Sequence, residues 1–235
     1  MSELISVIMP VYNHASTLKK SIGSLIIQTY SPIEIIVIND GSTDNYTEVK
    51  DEIEKEFVNN NIQFFDQKNS GAPVARNLGF KVSRGEYVIF YDADIIAKPD
   101  MLERMHLALQ QDKQASFAYS QFLIGRKKIK SQTYNKEDLK KNNYICTMSL
   151  IRREYFPYFD EKLKRFQDWD LWLTMMKQNH YGIFIPQVLF KAIVVSFRKS
   201  ISNWLPSFMY KLPFKTKSVK KYEAAREIII KKHKL

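Results

Sequence analysis

The first hundred residues of this chain alternate between two hydrophobic periods. Runs rich in Ile, Val and Phe cover residues 4–9, 33–38, 62–65 and 87–91. Between them, apolar side chains recur at three- and four-residue steps over about 18–26, 49–57 and 74–82. Strands that are apolar on both faces and are separated by amphipathic helices are typical of a sheet covered on both sides. The sequence therefore predicts an α/β fold with a mostly parallel central sheet flanked by helices.

The pattern after Pro99 is looser. It predicts a helix over about 100–111, short strands near 115–124 and 144–151, a helix after Asp168 and a last strand near 183–195. No linker precedes residue 195, so this half is expected to complete the same sheet. We predict three segments: residues 1–98 and 99–196 as two halves of one domain, and 197–235 as a basic helical tail.

The positive charge is concentrated in that tail. The net charge is +11, and from residue 191 onward there are 12 basic residues against two acidic ones, which leaves the body nearly neutral. A nucleic-acid groove would need a basic body, so no nucleic-acid partner is expected.

Within the tail, apolar residues at 201, 204, 205, 208, 209 and 212 form one helical stripe followed by lysines. Such a helix suits an anionic membrane surface. In the alternative, the stripe packs on the body and the lysines face solvent.

The cellular location is predicted from sequence features that are missing. No uninterrupted apolar run approaches the ~20 residues that cross a bilayer, and Glu3 stands where a signal peptide would carry positive charge. The single cysteine, Cys146, excludes an internal disulfide and fits a reducing compartment. We expect a cytoplasmic protein, with peripheral attachment to the inner face of the cell membrane as the hypothesis that the tail adds.

Polar or turn-forming residues follow each of the first four predicted strands. They are residues 10–13, 39–42, 68–71 and 92–94. In open α/β sheets, ligands bind beyond the carboxyl ends of the strands. The sequence therefore places the candidate site at this edge.

Two carboxylates, Asp92 and Asp94, follow the fourth run directly. In extended geometry they would face the same way about Ala93, and Mg²⁺ or Mn²⁺ carrying a diphosphate would compensate their charges. The alternative is a turn or a helix cap.

Two further residues fit a phosphorylated ligand. Arg76 lies on a helix that begins near Ala72, after Gly71, where a helix N-terminus and a guanidinium could hold an anion. Asp40 could accept hydrogen bonds from a base or a ribose. The alternatives are a surface arginine and an Asx-turn that ends the strand.

Five motifs in this order resemble glycosyltransferase family 2, which has a GT-A (Rossmann-like) fold. They are SVIMPVYN (6–13), EIIVINDGSTD (34–44), NSGAPVARNLG (69–79), YDAD (91–94) and FDEKLKRFQDWDLWL (159–173). The resemblance implies inverting transfer of a sugar from a nucleotide diphosphate sugar, most often a UDP-sugar, to a hydroxyl of a glycan or lipid-linked acceptor, assisted by Mn²⁺ or Mg²⁺.

The resemblance also implies roles for individual residues. Asp168 would be the general base, Asp94 would bind the metal together with Asp92, and Asp92 would also contact the nucleotide. Arg76 would approach the diphosphate and brace the aspartates. The remaining predicted nucleotide-sugar contacts are Pro10, Tyr12, Asn13, Asp40, Gly71, Asn77 and Ala93. From its position alone, Asp168 equally fits the N-cap of the helix that follows it.

Two departures from the family pattern bear on function. Many relatives carry Tyr-Arg-x-His on the last strand, whereas this chain has Phe190-Lys191-Ala192-Ile193, and His180 lies before that strand. The metal would then rely on Asp94, phosphate and water, and the alternative function is a nucleotide-sugar-binding relative without turnover. The Gln-x-x-Arg-Trp motif of processive synthases is missing, which favours transfer of one sugar at a time.

The residues that follow the first predicted strand argue against two other enzyme classes. Nucleotidyltransferases and dinucleotide oxidoreductases need a glycine-rich phosphate loop there, and residues 10–13 contain no glycine.

Overall fold

The computed structural model describes residues 3–194 and 216–235. Its strands are β1 (Ile5–Val11), β2 (Ile33–Asn39), β3 (Ile62–Asp66), β4 (Tyr87–Phe90), β5 (Ile95–Ala97), β6 (Phe117–Ile124), β7 (Lys127–Ile129), β8 (Leu150–Arg152) and β9 (Gly182–Ala192). Its helices are α1 (Ala15–Ile26), α2 (Tyr46–Glu56), α3 (Ala72–Val82), α4 (Met101–Gln111), α5 (Lys136–Lys141), α6 (Gln167–Lys177) and α7 (Lys217–His233).

All described strands belong to one sheet of order β3-β2-β1-β4-β8-β6-β9-β5, with β7 paired to β6. The strands β3, β2, β1 and β4 are mutually parallel. Beyond them β8 runs antiparallel to β4 and β6, β9 is parallel to β6, and β5 is antiparallel to β9. The predicted α/β class is confirmed, and the sheet is parallel in its first half and mixed in its second.

Both faces of the sheet are covered, which explains the continuous apolar strand runs. In β1, Val7 and Met9 pack into one core with Leu18 and Ile22 of α1. Ile8 points to the opposite face and joins a second core that contains the tryptophans of α6. Because alternate strand residues face opposite sides, a strand buried on both faces is mostly apolar at every position rather than at every second one.

The helix α3 approaches β1 closely at Gly79. A Cβ at Gly79 of α3 would lie 2.3 Å from Ile8 Cγ2, whereas a Cβ at Gly23 of α1 would meet only Phe57 Cζ at 3.9 Å. Overpacking should make Gly79→Ala destabilising by about 1–3 kcal/mol. Gly23→Ala is the matched control and should stabilise by up to ~1 kcal/mol, because alanine favours a helix. Denaturant unfolding measures both, and equal effects would contradict the described packing of α3 on β1.

Sequence patterns missed the short elements. The strands β5 and β7 and the helix α5 have too few residues to show a period, and the strand expected near 144–151 is limited to β8. The predicted tail stripe at 201–212 lies outside the described residues. The helix α7 follows it, with Val219 and Ile229 buried.

The helix α2 is not capped by Asp44, although an aspartate just before a helix is often its cap. Its N-cap is Asn45, and Asp44 Oδ2 instead accepts a hydrogen bond from the backbone N–H of Ala15 at 3.0 Å. Asp44 thus satisfies an unpaired donor in the first turn of α1.

None of the described helices combines the length and the apolar character that a bilayer span requires.

Candidate active site

The ends of β1 and β2 are fastened together by Asn13. This residue adopts a positive φ of 54°. Its Oδ1 accepts from the N–H of Thr43 at 2.6 Å, and its own N–H donates to Ser42 Oγ at 2.9 Å. Beside it Tyr12 is 47% exposed, and Pro10 lies within β1. The predicted nucleotide-sugar contacts Pro10, Tyr12 and Asn13 therefore lie on a fixed edge of the sheet, and the side chain of Tyr12 reaches solvent.

The buried carboxylate of Asp40 organises the loop between β3 and α3. Its Oδ1 accepts from Gln67 Nε2 and from the N–H of Ser70, both at 2.7 Å, and its Oδ2 accepts from the N–H of Gly71 at 2.9 Å. Gly71 has a φ of 94°, which a side chain would strain. Asp40 and Gly71 are thus brought together directly before α3.

Asp40 does not form the Asx-turn offered as the alternative. Its carboxylate bonds to a loop some 30 residues away, whereas the turn after β2 is closed by Asn39, whose Oδ1 accepts from the N–H of Ser42 at 2.9 Å. The short-range interpretation of Asp40 is therefore wrong.

Arg76 joins three elements at the centre of the edge. Its Nη2 lies 2.9 Å from Asp92 Oδ1, its Nη1 donates to Gln167 Oε1 at 3.2 Å, and its guanidinium lies 5.3 Å from the centre of the Phe159 ring. Only 8% of the residue is exposed. The surface-arginine alternative is wrong, because this cation is held between α3, the turn after β4 and the start of α6.

Asp92, Ala93 and Asp94 form a turn between β4 and β5 and are not extended. The N–H of Ile95 donates to Asp92 O at 3.3 Å, and Ala93 O accepts from Ser21 Oγ at 2.8 Å. Both aspartates are partly exposed, while Ala93 is buried. The shared orientation that an extended strand would impose is therefore replaced by a turn whose backbone is anchored to α1.

Few of the described side chains at this edge could bind a metal ion. Within residues 3–194 and 216–235, no group of three or more His, Cys, Asp or Glu side chains is placed to hold a metal ion. His180 lies elsewhere, with its Nδ1 3.0 Å from Ser116 Oγ. The carboxylates in the turn after β4 are those of Asp92 and Asp94, and Asp92 pairs with Arg76. A hard divalent cation fits this pair only if diphosphate oxygens and water complete its coordination.

Asp168 lies in the first turn of α6 without capping it. The N-cap is Phe166, in the left-handed region at φ 59°, so the capping interpretation is wrong. Asp168 Oδ2 accepts from Asn143 Nδ2 at 2.7 Å and Oδ1 from the N–H of Trp169 at 2.9 Å. Burial raises the pKa of Asp168 above its usual value, against the opposing effects of the Trp169 hydrogen bond and the charge of Arg76. A carboxylate with a raised pKa is a better proton acceptor.

The segment between α5 and β8 lines the site and was missed by sequence reasoning. Asn143 contacts Asp168, and burial together with the charges of Asp92 and Asp168 raises the pKa of Cys146 to about 12. Trp172 Nε1 donates to Ile145 O at 2.9 Å, which fixes the segment on α6. No periodic signal marks these residues, since they belong to a loop ordered by contacts distant in sequence.

Asn77 contacts protein rather than the open edge. Its Nδ2 donates to Phe159 O and Glu161 Oε1, both at 2.9 Å, and its Oδ1 accepts from the N–H of Phe159 at 2.9 Å. The structure thus gathers Arg76, Asp92 and Asp168 into one cluster and places Asn77 behind it as a brace between α3 and residues 159–161.

Comparison with known proteins identifies the family. Residues 6–159 match the model of Glycosyl transferase family 2. The chain is 40% identical over 112 residues to glycosyltransferase GlyG of Streptococcus pneumoniae, covering 47% of this chain and 36% of GlyG. It is 31% identical over 211 residues to the uncharacterized glycosyltransferase RT0329 of Rickettsia typhi, covering 82% of this chain and 64% of RT0329. The chain therefore spans only part of the length of these relatives.

Solved structures share the fold. S. aureus TarS 1-349 in complex with UDP-GlcNAc superposes with a TM-score of 0.68 and 19% identity, covering 88% of this chain and 63% of that one. The mannosyltransferase PcManGT from Pyrobaculum calidifontis, in complex with GDP-Man and Mn²⁺, gives a TM-score of 0.65 and 17% identity, covering 82% and 57%. At these identities the likeness establishes the expected GT-A fold. With the family match over more than half of its residues, the chain belongs to glycosyl transferase family 2.

Proposed function

We propose that this protein transfers a sugar from a UDP-sugar to a hydroxyl of a glycan or lipid-linked acceptor, one sugar at a time and with inversion. The observation that carries the proposal is the bridge made by Arg76. One end of its guanidinium holds Asp92 at the strand edge, and the other holds Gln167, next to Asp168. A donor-binding edge and a candidate base are thereby fixed relative to each other, as a displacement reaction requires.

The donor would lie across the carboxyl ends of β1, β2 and β4. The ring of Tyr12, which is 47% exposed, would stack on uracil, and Asp40 and Gly71 shape the loop beside the ribose. That TarS, of the same fold, binds UDP and UDP-GlcNAc supports a uridine nucleotide. PcManGT binds GDP-Man, and titration with UDP and with GDP distinguishes the two nucleotides.

The chemistry assigned to the site is a single in-line displacement. The acceptor oxygen forms a bond to the anomeric carbon, its proton passes to the carboxylate of Asp168, and the bond from that carbon to the UDP oxygen breaks. The partly buried position of Asp168 suits it to accept this proton, because desolvation raises its pKa. The positive charge of Arg76 stabilises the negative charge that grows on UDP.

A divalent metal, Mn²⁺ or Mg²⁺, fits the proposal when diphosphate oxygens of the substrate complete its coordination. Asp94 and Asp92 would hold it together with the diphosphate, and it would supply positive charge at the leaving group. PcManGT contains Mn²⁺ with its donor.

The basic tail is proposed to bring the enzyme to an anionic membrane surface that carries the acceptor. Of the tail, the structure describes residues 216–235, in which Lys217, Lys220 and Lys221 are exposed while α7 packs on the body. Replacing these three lysines by Gln should weaken binding to anionic vesicles by about 1 kcal/mol per lysine. Cosedimentation measures this, with neutral vesicles as the control. Unchanged binding to anionic vesicles would remove the membrane proposal.

A second candidate is a nucleotide-sugar-binding protein without turnover. It is favoured by one observation, the shortage of protein metal ligands among the described residues. Calorimetric titration with UDP and GDP, with and without Mn²⁺, combined with a turnover assay, separates the two. Binding with turnover supports the transferase, binding without turnover supports the second candidate, and absence of nucleotide binding contradicts both.

A further inference from the structure

The start of α6 carries Asp168 but has no side-chain cap of its own. Its N-cap residue, Phe166, makes no capping hydrogen bond, and the first backbone bond of the helix is from the N–H of Asp170 to Phe166 O at 2.9 Å. An uncapped first turn frays easily. What holds this turn in place therefore also decides where the carboxylate of Asp168 lies.

One face of α7 contacts that turn at successive helical steps. The Tyr222 ring lies 5.0 Å from the Phe166 ring, and the Arg226 guanidinium lies 5.6 Å from the Trp169 ring. Further along the same face, Ile229 is buried. The spacing of four, three and four residues from 222 to 233 is that of one helical stripe.

The stripe ends at the buried carboxylate of Asp170. His233 Nε2 lies 2.7 Å from Asp170 Oδ1, and the two side chains are 3% and 5% exposed. Lys232 Nζ lies 2.8 Å from Asp170 Oδ1 and 2.6 Å from Asp160 Oδ2. Burial lowers the pKa of Lys232, but hydrogen bonds to Asp160 and Asp170 raise it by more. A buried carboxylate needs such partners, because an unpaired one is costly.

We propose that α7 is a positioning element of the active site, and that the contact of His233 with Asp170 fixes the first turn of α6 so that Asp168 faces the donor. The inference rests on the proposed role of Asp168 as base. Neither helix belongs to residues 6–159 that match the family model. Among the described residues, His233 contacts Asp170, and Lys232 contacts Asp170 and Asp160; neither aspartate is a predicted donor-binding residue.

The test compares His233→Ala with His233→Gln, whose amide can replace the Nε2 donor. Lys231→Ala is the matched control, since the side chain of Lys231 is 76% exposed and pairs with Glu227 on its own helix. We expect His233→Ala to lower kcat by ~10–100-fold with little change in KM for the donor, because the donor edge is intact and the base is displaced. His233→Gln should recover much of the loss, and Lys231→Ala should match the parent.

Hydrogen exchange of the amides of residues 170–173 gives a readout that does not need turnover. Faster exchange there in His233→Ala, restored in His233→Gln, supports the inference. Unchanged exchange would overturn it, as would a loss of kcat and a rise of KM in equal measure. If the parent protein shows no turnover, the proposed function fails, and the exchange pattern still decides whether α7 holds α6.

Discussion

Asp168→Asn should lower the rate of sugar transfer by ~10²–10⁴-fold and leave UDP binding intact, because it removes a general base and keeps the shape of the site. The asparagine keeps one acceptor oxygen, which can face either Asn143 or the N–H of Trp169, the two donors that Asp168 accepts from in the parent. Initial rates at saturating donor and calorimetric titration with UDP measure the two effects separately. Asp138→Asn, which changes a half-exposed carboxylate on α5, is the matched control and should retain parental activity.

The direction of the Asp168 pKa shift adds two checks. The base acts when deprotonated, so a raised pKa should place the acidic limb of the pH profile of kcat/KM above that expected for an exposed aspartate. A carboxyl with a raised pKa holds its proton more tightly in the folded state, so its contribution to stability falls as pH rises through that pKa. Asp168→Asn should therefore melt at the parental temperature or higher at neutral pH. Normal transfer by this variant would refute the assignment of the base.

Arg76→Lys should lower kcat/KM by about 10²-fold or more while keeping the charge. Lysine is a point charge and cannot contact Asp92 and Gln167 at the same time, as the guanidinium does. Because the side chain of Asp92 is 39% exposed, solvent screens its charge, and the stability cost should lie below the ~3–5 kcal/mol of a fully buried pair. Steady-state kinetics and thermal unfolding measure these changes.

A matched substitution separates this effect from the general difference between arginine and lysine. Arg104 forms an exposed pair with Asp100 on α4, so Arg104→Lys should leave transfer and unfolding unchanged. The positive charge of Arg76 also lowers the pKa of Asp168, so Arg76→Met should move the acidic limb of the pH profile upward. An Arg76→Lys variant with parental kcat/KM would contradict the proposed bridge.

The sequence predicted the parallel half of the fold well, because β1, β2, β3 and β4 carry strong periodic signals. The edge that their carboxyl ends form could also be placed, since topology alone brings those ends together. The mixed half was predicted less well. Its strands pair across long connections, and β5, β7 and β8 are only three residues long, so no local pattern marks them.

The interpretation of three aspartates as local helix caps or Asx-turns failed for a common physical reason. Asp44, Asp40 and Asp168 each stand where a cap or an Asx-turn is plausible, yet each forms its hydrogen bonds differently in the folded protein. A short polar side chain has several possible partners, and tertiary contacts decide among them. The contacts of Asn143 and His233 could not be predicted, because they join segments whose approach depends on the packing of α6.

Release of UDP from a panel of UDP-sugars tests the central claim most directly. The intact protein would be assayed with Mn²⁺ and membrane extract as a source of acceptor, beside Asp168→Asn. The account predicts release from one preferred donor, dependent on metal and on Asp168, with the sugar recovered in the opposite anomeric configuration. Release that persists in Asp168→Asn, or a product with retained configuration, would contradict it.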